Sequence, residues 1–468
     1  MFKRIIATVV FIAIFFSVSP ASAQTEDGPV YIVQSGDTLS LIAARFNVAL
    51  ADLMNANGIA DPNLLSAGQE LVIPGLQGIN GVLVTEYVQF GDSFRSLSRR
   101  TQIAEPTLRK LNRLVSPTEL YVGVSLIVPQ QTEDRLTSRV TPSKGESLLE
   151  LAAKGNTDPW ALTELNQLSG TWDAIPGDVL YADSGETGST ASGLPAIFES
   201  AVVSPLPLIQ GGTTVIRVQV AEGVIVGGML VDHELHFFPD ANGSQVALQG
   251  VHALLEPGPY PLRLEATLPD GSQQSFEQMV LVLSGGYPDD PLLYVDATTI
   301  DPAIIGPEDQ LIADTARPAT PQKLWSGVFG TPASLYAEST YFTSRYGSRR
   351  KYIGLESDLT YQGFHTGLDF GGGTGLPITA PAAGRVVLTA PNQVVRGNAT
   401  MIDHGWGVYS GFWHQSEFKV QVGDMVTPGQ IIGLVGNTGR GTGAHLHWEL
   451  WVNGVQVDPL DWLQREYP

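Results

Sequence analysis

A repeated unit near the N-terminus most constrains what this chain can fold into. The segment Tyr31–Pro74 opens with a short β pattern, passes through Gly36-Asp37-Thr38 into apolar residues at helical spacing, and closes with the strand-like run LVIP. The segment Tyr87–Pro129 repeats this order. A period of roughly 55 residues is longer than that of most solenoid repeats and predicts separate small modules in tandem. At 468 residues the chain is also too long for a single core, so several domains are expected.

Each unit has the order strand, helix, helix, strand, and this order with its Gly-Asp turn resembles the LysM module. The resemblance implies a βααβ fold that binds N-acetylglucosamine glycans of peptidoglycan or chitin. We place two LysM modules at residues 30–75 and 86–130, and a degenerate LysM-like repeat at 138–183, where Leu165-Asn166 and Pro176-Gly177-Asp178 recur. The altered turn of the third copy leaves its glycan binding open. The alternative for every copy is a spacer without a ligand.

The first 23 residues have the pattern of a secretory signal peptide. Lys3 and Arg4 precede the apolar run Ile5–Val18, and Ala21-Ser22-Ala23 forms a small-residue cleavage site. A membrane helix is the alternative, but the apolar run is short for a bilayer span. No later stretch is long and apolar enough to span a bilayer. The sequence therefore predicts a secreted, extracytoplasmic protein associated with the cell wall.

Charge and cysteine content exclude several classes of protein. The formal net charge is −21, which argues against a nucleic-acid partner. The chain has no cysteine, so no disulfide framework is available and His, Asp and Glu remain as strong metal ligands. We expect a monomer whose partner is peptidoglycan.

The middle of the chain changes pattern twice. Residues 184–193 are rich in Gly, Ser and Thr and predict a linker. Residues 194–286 contain short β-type runs separated by turns, a pattern typical of an immunoglobulin-like β-sandwich. Within it, His233 and His236 stand three apart in a strand pattern, so their rings are expected on opposite faces, as structural residues. Residues 287–337 show little periodicity and predict an extended connector.

The stretch GNTGRGTGAHLHWEL, residues 436–450, carries the strongest chemical signal. If it is a strand, His445, His447 and Glu449 point one way, while Leu446, Trp448 and Leu450 point into a core. Two imidazoles on one face are suited to zinc. A His-x-His pair alone is more often structural than a ligand pair, so its context decides.

That context is a cluster of further histidines. His365 and Asp369 lie four apart in a glycine-rich segment that disfavours a helix, so they are expected on one face of an extended segment. His404 and His414 follow in DHGWGVYSGFWH, and five of the eight histidines therefore fall between His365 and His447. Core histidines would not cluster in this way.

These motifs occur in an order that resembles the lysostaphin/LytM-type zinc metallopeptidases, secreted endopeptidases that cut peptidoglycan peptides. The matching residues run from about Ser344 to Trp462, and we place a mainly antiparallel β peptidase domain at 338–468. Two departures are Ala444, where proline is common, and Gln415, where leucine is common. Neither residue is a ligand in the family pattern.

The resemblance implies one zinc ion held by His365, Asp369 and His447. It also implies that His445 accepts the proton of the attacking water and that His414 stabilises the oxyanion and assists the leaving amine. Simpler roles remain open, with Asp369 as a capping carboxylate and His414 as a core ring. His404 is expected to be structural, because three ligands are already supplied.

Two functions follow from these motifs. The first is a secreted zinc metalloendopeptidase that hydrolyses stem or cross-link peptides of peptidoglycan and is targeted by its LysM modules. The alternative is a non-catalytic wall-binding regulator that activates a separate amidase. The regulators of that type lack the metal ligands, which this sequence retains.

Overall fold

The three-dimensional structure is a computed structural model. It describes residues 29–34, 36–76, 79, 81–114, 116, 119–130, 138–140, 142, 145–176, 178, 180–182, 194–195, 197–336, 342–441 and 443–468. The signal peptide predicted at 1–23 and the linker predicted at 184–193 lie outside these residues.

Helical hairpins form the core of all three N-terminal repeats. The first contains β1 (Val30–Ile32), α1 (Leu39–Phe46), α2 (Leu50–Ala56) and β2 (Glu70–Val72). The second contains β3 (Val82–Tyr87), α3 (Phe94–Thr101), α4 (Glu105–Asn112) and β4 (Ser125–Gln130). The third contains β5 (Ser138–Val140), α5 (Leu148–Lys154), α6 (Pro159–Leu165), a 3-10 turn (Thr171–Asp173) and β6 (Leu180–Ala182).

The same two local devices define each repeat. The first helix is capped by the residue before it, Thr38, Ser93 or Ser147, whose side-chain oxygen accepts the hydrogen bond of a backbone N–H in the first turn. An asparagine at the end of the second helix, Asn57, Asn112 or Asn166, binds the backbone of the last strand. Its amide donates to the carbonyl of Val72, Ile127 or Tyr181, and its oxygen accepts from the N–H of the same residue. The third segment therefore shares the local construction of the other two.

Two β-sheets with a common core follow the repeats. Their strands are β7 (Phe198–Ser204), β8 (Leu208–Ile209), β9 (Thr213–Val220), β10 (Ile225–Leu230), β11 (His233–Glu234), β12 (Phe238–Pro239), β13 (Gln245–Gly250), β14 (Gly258–Thr267) and β15 (Gln273–Leu283). The sheet orders are β11-β10-β14-β15-β8 and β12-β13-β9-β7. Buried residues from both sheets, such as Leu264 and Val218, belong to one cluster, so this region is a β-sandwich. The immunoglobulin assignment stays a prediction.

The connector is more regular than the sequence indicates. It contains β16 (Leu293–Asp296), a 3-10 turn (Ala297–Thr299) and α7 (Pro302–Ala316). Gly306 and Pro307 lower the helix propensity of this segment, so sequence reasoning predicts an extended chain and is wrong here. The helix forms because the Asp301 side chain caps its start and because Ile305 and Ile312 are buried. Glu308 also binds the backbone N–H groups of residues 395 and 396.

The C-terminal region is a β structure with a short final helix. Its elements are β17 (Arg349–Leu355), β18 (Thr360–Phe364), β19 (Leu368–Gly371), β20 (Pro377–Thr379), β21 (Gly384–Gln393), β22 (Gly397–Gly405), β23 (Val408–Gln415), β24 (Glu417–Phe418), β25 (Met425–Val426), β26 (Ile431–Leu434), β27 (His445–Val452), β28 (Val455–Val457) and α8 (Pro459–Gln464). The main sheet has the order β19-β27-β23-β22-β21-β25, with β28 also paired to β27. These pairs are antiparallel, which confirms the predicted sheet.

The sandwich and the C-terminal sheet share one hydrophobic core. Phe238, Val246 and Leu248 of the sandwich belong to the same buried cluster as Leu446 and Trp448 of β27. The Trp462 indole donates to Thr213 Oγ1 at 2.9 Å, and Asn453 Nδ2 donates to Gln249 Oε1 at 2.6 Å. On this side the C-terminal sheet therefore packs against the sandwich.

The described residues contain no single helix with the length and apolar character needed to cross a bilayer. Among these residues, helices α1 and α2 together reach that length and apolar composition, but the chain bends sharply between them.

Candidate metal centre and catalytic cleft

Strand β27 presents its side chains as the alternation predicts. Leu446, Trp448 and Leu450 are fully buried in the core, and the opposite face carries His445, His447 and Glu449. Strand β19 pairs with β27 in a register that sets Asp369 opposite His447. Because directly opposed residues of an antiparallel pair lie close together, this register alone brings a carboxylate to the histidine face.

Three side chains converge on one point. His365 Nε2, His447 Nδ1 and Asp369 Oδ1 are separated by 3.1 Å between the two nitrogens, and by 3.0 and 2.7 Å between each nitrogen and the oxygen. Tetrahedral zinc with bonds of 2.0–2.1 Å separates its ligand atoms by about 3.3 Å. The observed triangle is close to that size, and its two nitrogens and one oxygen are donors that zinc accepts. The residues present therefore fit a zinc ion.

Hydrogen bonds on the far side of each ring fix which nitrogen faces this point. His365 Nδ1 lies 2.8 Å from the carbonyl oxygen of Arg345, so Nδ1 must donate and Nε2 keeps its lone pair. His447 Nε2 lies 3.3 Å from the Glu449 carboxylate, which leaves the lone pair on Nδ1. A carboxylate or carbonyl behind a ligating histidine is the usual support of a metal site.

The pKa values reflect this arrangement. Burial lowers the pKa of His447, but its hydrogen bonds to Asp369 and Glu449 outweigh burial and raise the pKa to about 9. Burial likewise opposes ionisation of Asp369, yet the charges and hydrogen bonds of His365 and His447 hold its pKa well below the usual range. The two carboxylates thus favour positive charge at His447 Nδ1, supplied either by a proton or, once that proton has left, by a metal ion.

Glu449 is a functional residue whose role sequence reasoning missed. It is 2 % exposed and accepts hydrogen bonds from Thr366 Oγ1, from Trp451 Nε1 at 2.9 Å and from Gln456 Nε2 at 3.0 Å. Burial raises its pKa, but the hydrogen bond from His447 and the charge of Arg396 lower it to about 2. The alternation of β27 already placed Glu449 beside the histidines. Only its partners identify it as the group that orients His447.

His414 and His445 lie beside the three converging residues. Their ring centroids are 4.7 Å apart, and the His414 ring is 6.1 Å from that of His447. Each ring donates from Nδ1 to a backbone carbonyl, that of Thr438 at 2.7 Å for His414 and that of Gly443 at 2.8 Å for His445. In both rings Nε2 is therefore the nitrogen left for the cleft. His445 Nε2 lies 3.8 Å from Asp369 Oδ1, too far for a hydrogen bond.

All five predicted residues line one cleft of about 510 Å³. Burial, with the neighbouring rings of His445 and His447, lowers the pKa of His414 to about 3. One wall of the cleft comes from the connector, through Leu293, Thr299, Ile305 and other residues. No sequence signal indicated that this segment would reach the cleft, because its strand β16 pairs with β17 far along the chain.

The remaining histidines lie elsewhere. His404 is fully buried, with Nδ1 donating to the carbonyl of Ala383 at 2.8 Å and Nε2 at 2.9 Å from Ser410 Oγ. Burial lowers its pKa to about 4. His233, His236 and His252 belong to the sandwich region and do not line the cleft.

Comparison with known protein families identifies the region that contains the cleft. The model described as "Peptidase family M23" matches residues 363–459, which contain all five cleft residues. This region is an M23 peptidase domain. The LysM domain model matches residues 31–74 and 87–129, so the chain also contains two LysM domains. The resemblance to lysostaphin/LytM-type metallopeptidases is thereby confirmed.

Two curated relatives and one solved structure are similar to part of this chain. The DD-carboxypeptidase/endopeptidase Mpg of Neisseria meningitidis serogroup B is 43% identical over 96 residues, which cover 20% of this chain and 22% of that protein. The peptidoglycan DD-endopeptidase ShyA of Vibrio cholerae serotype O1 has the same identity and coverage. The crystallised catalytic domain of lysostaphin from Staphylococcus simulans is 35% identical, with 22% of this chain and 81% of that domain covered and a TM-score of 0.21. The chain thus spans about a fifth of the length of the curated relatives it matches.

Proposed function

We propose that this chain is an extracytoplasmic zinc metalloendopeptidase that hydrolyses stem or cross-link peptides of peptidoglycan. The observation that carries the proposal is the convergence of His365 Nε2, Asp369 Oδ1 and His447 Nδ1, each with a free lone pair, beside two further histidines. Three protein ligands with a position left for water are typical of a catalytic zinc site, whereas structural zinc sites are closed by four.

Bound zinc would polarise the scissile carbonyl and lower the pKa of a water molecule to about 7. His445 is proposed to accept the proton of the attacking water, because its Nε2 carries a lone pair and lies next to Asp369. His414 is proposed to contact the oxyanion and the leaving amine. Since its Nδ1 donates to Thr438 and burial lowers its pKa to about 3, this role requires Nε2 to take up a proton as negative charge develops on the substrate. Glu449 and Arg345 hold the two ligand rings in the required tautomers.

The substrate class rests on the relatives and on the LysM domains. Relatives of the M23 domain are named a DD-carboxypeptidase/endopeptidase and a peptidoglycan DD-endopeptidase. The LysM domains are proposed to bind the N-acetylglucosamine glycan of the same polymer. Such binding would raise the local concentration of the peptide bonds at the cleft. It also supports a location at the cell wall.

The sandwich is proposed to be immunoglobulin-like. One of its sheets contains β7, β9, β13 and β12, in that order. The other contains β10, β14 and β15, with the short strands β11 and β8 at its edges. This arrangement supports the proposal because the constant-type immunoglobulin order is ABED and CFG.

Zinc content and sacculus digestion test the proposal. Purified protein is expected to contain one zinc ion per chain and to release muropeptides from purified sacculi, with release abolished by a chelator and restored by added zinc. A His233→Ala variant is the matched control, since that histidine lies outside the cleft. Zinc-free protein that leaves sacculi unchanged would instead favour the alternative, a regulator that activates a separate amidase.

A further inference from the structure

We infer that Arg440 binds a free carboxylate of the peptide in the cleft, so that the substrates of this cleft are peptides with an unmodified carboxyl group near the scissile bond. The inference deepens the peptidase role proposed above and rests on it. Arg440 has no part in the metal site or in the proton transfers already described.

Arg440 lies in the loop that leads into strand β27. Its backbone N–H donates to the carbonyl of Val395 at 2.8 Å, and the residue lines the same cleft as His445 and Asp369. The next residue, Gly441, lies against the His445 ring, because a Cβ on this glycine would be 3.3 Å from His445 Cε1. A group bound by Arg440 is therefore held near the histidine that is proposed to accept the proton of the water.

Two contacts fix the orientation of the Arg440 guanidinium. Its Cζ lies 4.3 Å from the centre of the Tyr352 ring, a cation–π contact, and Nη1 donates to the carbonyl of Thr299 at 2.9 Å. Tyr352 is 6 % exposed and is held by the pairing of β16 with β17. A guanidinium carries several N–H donors in a planar fork, so these contacts leave most of the donors for a ligand.

The arginines that line the cleft differ in their charge partners. Arg350 pairs with Asp290 at 2.8 Å, and Arg396 pairs with Asp309 at 2.8 Å. Within the described parts of the chain, no carboxylate forms an ion pair with Arg440. The charge of Arg440 is therefore not neutralised by any described residue, whereas the charges of the other two arginines are.

Asp296 belongs to the same connector turn as Thr299 but does not neutralise Arg440. Its carboxylate is exposed and accepts hydrogen bonds from Thr298, at 2.9 Å from the backbone N–H and at 2.7 Å from the hydroxyl. These bonds lower the pKa of Asp296, and no arginine contributes to that shift. The connector thus supplies a carbonyl to the guanidinium but not a counter-charge.

The surroundings of Arg440 favour an anion. Burial lowers the pKa of Arg440, and the charges of Arg396 and Arg350 also lower it. An arginine remains charged in a protein, so this half-buried cation is stabilised when an anion binds. A carboxylate suits it best, because two parallel N–H···O bonds match the planar fork of the guanidinium.

Amidation of the substrate tests the inference, because it removes the charge of a carboxylate and keeps its approximate shape. Soluble muropeptides from purified sacculi are compared with the same muropeptides after conversion of their carboxyl groups to amides, and kcat/KM is measured for the full chain with zinc. The unchanged protein should cleave the amidated form about 10- to 100-fold less efficiently. Arg440→Gln should cleave both forms with that lower efficiency, within about twofold, because the two changes remove the same interaction.

Two matched variants separate charge from shape. Arg440→Lys keeps the cation but not the planar fork, so it should recover part of the preference for the free acid. Arg349→Gln removes an exposed arginine of β17 that does not line the cleft, and its preference should equal that of the unchanged protein. Equal cleavage of both forms by the unchanged protein would overturn the inference. Equal slowing of both forms by Arg440→Gln would also overturn it, since a purely structural tether would give that result.

Two synthetic stem peptides identify which carboxylate is bound. One is amidated only at its C-terminus and the other only at its internal carboxyl groups. The peptide that is cleaved less efficiently by the unchanged protein, but not by Arg440→Gln, has lost the carboxylate that Arg440 binds. If neither peptide showed this difference, the inference would be wrong.

Binding without turnover distinguishes failure of the inference from failure of the proposed peptidase. In the His445→Ala background, which is expected to keep its zinc, Arg440→Gln should weaken binding of the free acid by about 10- to 100-fold in calorimetry and leave binding of the amide unchanged. A full chain that cleaves neither substrate yet shows this difference would refute the peptidase and support the carboxylate site. Normal cleavage with equal binding of acid and amide would refute the carboxylate site alone.

Discussion

His404 and His447 are two buried histidines of one β-sheet, on β22 and β27. They have different hydrogen-bond partners, and their pKa values are shifted in opposite directions. The ring of His404 meets a carbonyl and a hydroxyl, and burial lowers its pKa to about 4. The ring of His447 meets two carboxylates, which outweigh burial and raise its pKa to about 9. Burial alone therefore does not distinguish a functional histidine from a structural one. The charge of the groups around the ring does.

The largest effect should come from His447→Ala. It removes one of three converging donors, so zinc affinity should fall by more than about a hundredfold, beyond the cost of losing an outer partner, and activity should be lost. Zinc per chain and release of muropeptides from sacculi measure the two effects. If His447→Ala kept its zinc, the proposed ligand set would be wrong.

His445→Ala tests the next difference, between a ligand and a proton acceptor in the same strand. Zinc content should stay within about threefold of the unchanged protein, because His445 Nε2 is 3.8 Å from Asp369 and its Nδ1 bonds to a backbone carbonyl. Turnover should fall by about a hundredfold to ten-thousandfold. Equal zinc loss in His445→Ala and His447→Ala would refute the division of roles.

The buried ring of His404 should make the free energy of unfolding depend on pH, independently of zinc. Its pKa is about 4 in the folded state and 6.5 in the unfolded state, so the unfolded state binds more protons between these values. Its contribution to stability is complete above pH 6.5 and is lost as the pH falls towards 4, by about 3 kcal/mol in total. Urea unfolding at pH 7 and pH 4.5 measures it.

The matched variant for this experiment is His404→Gln, which removes the titrating ring. The variant should be less stable than the unchanged protein at pH 7, yet it should lose less stability on acidification. An equal loss in both proteins would mean that other groups cause the acid dependence.

Glu449→Gln should give the smallest effect of the series. The amide keeps the shape of the side chain and an acceptor oxygen, but it removes the charge behind His447. Loss of such an outer partner costs about tenfold to a hundredfold in metal affinity, so zinc should bind more weakly while the fold is retained. A competition titration with a zinc chelator gives the ratio directly. Unchanged affinity would mean that Thr366 and Asp369 suffice to orient the ring.

Much of the fold and of the site followed from local sequence patterns. The two-residue alternation around His445 and His447 predicted a strand with one buried face, because side-chain direction in a strand depends only on position along it. The Gly-Asp turns, helix spacing and final strands predicted the LysM domains for the same reason. The clustering of five histidines predicted a site, and the structure brings four of them with Asp369 to one cleft.

Contacts between distant segments were not available to that reasoning. The helix α7 contains Gly306 and Pro307 and is stabilised by Glu308 at residues 395 and 396, so its local pattern argues against it. The cleft wall at Leu293 depends on a pairing with β17, nearly 60 positions later. The tautomers of His365 and His414 depend on the backbone carbonyls of Arg345 and Thr438, which belong to other segments of the chain.

By itself, then, the sequence determined the modules, the catalytic strand and the identity of the candidate ligands, since each is expressed in residues close together in the chain. Only the tertiary structure decided which segment forms the wall of the cleft and which nitrogens of His365 and His414 donate to a carbonyl. Both depend on what packs against a residue from elsewhere. Leu293 of the cleft wall, for example, is positioned by pairing with Tyr352, nearly 60 positions later.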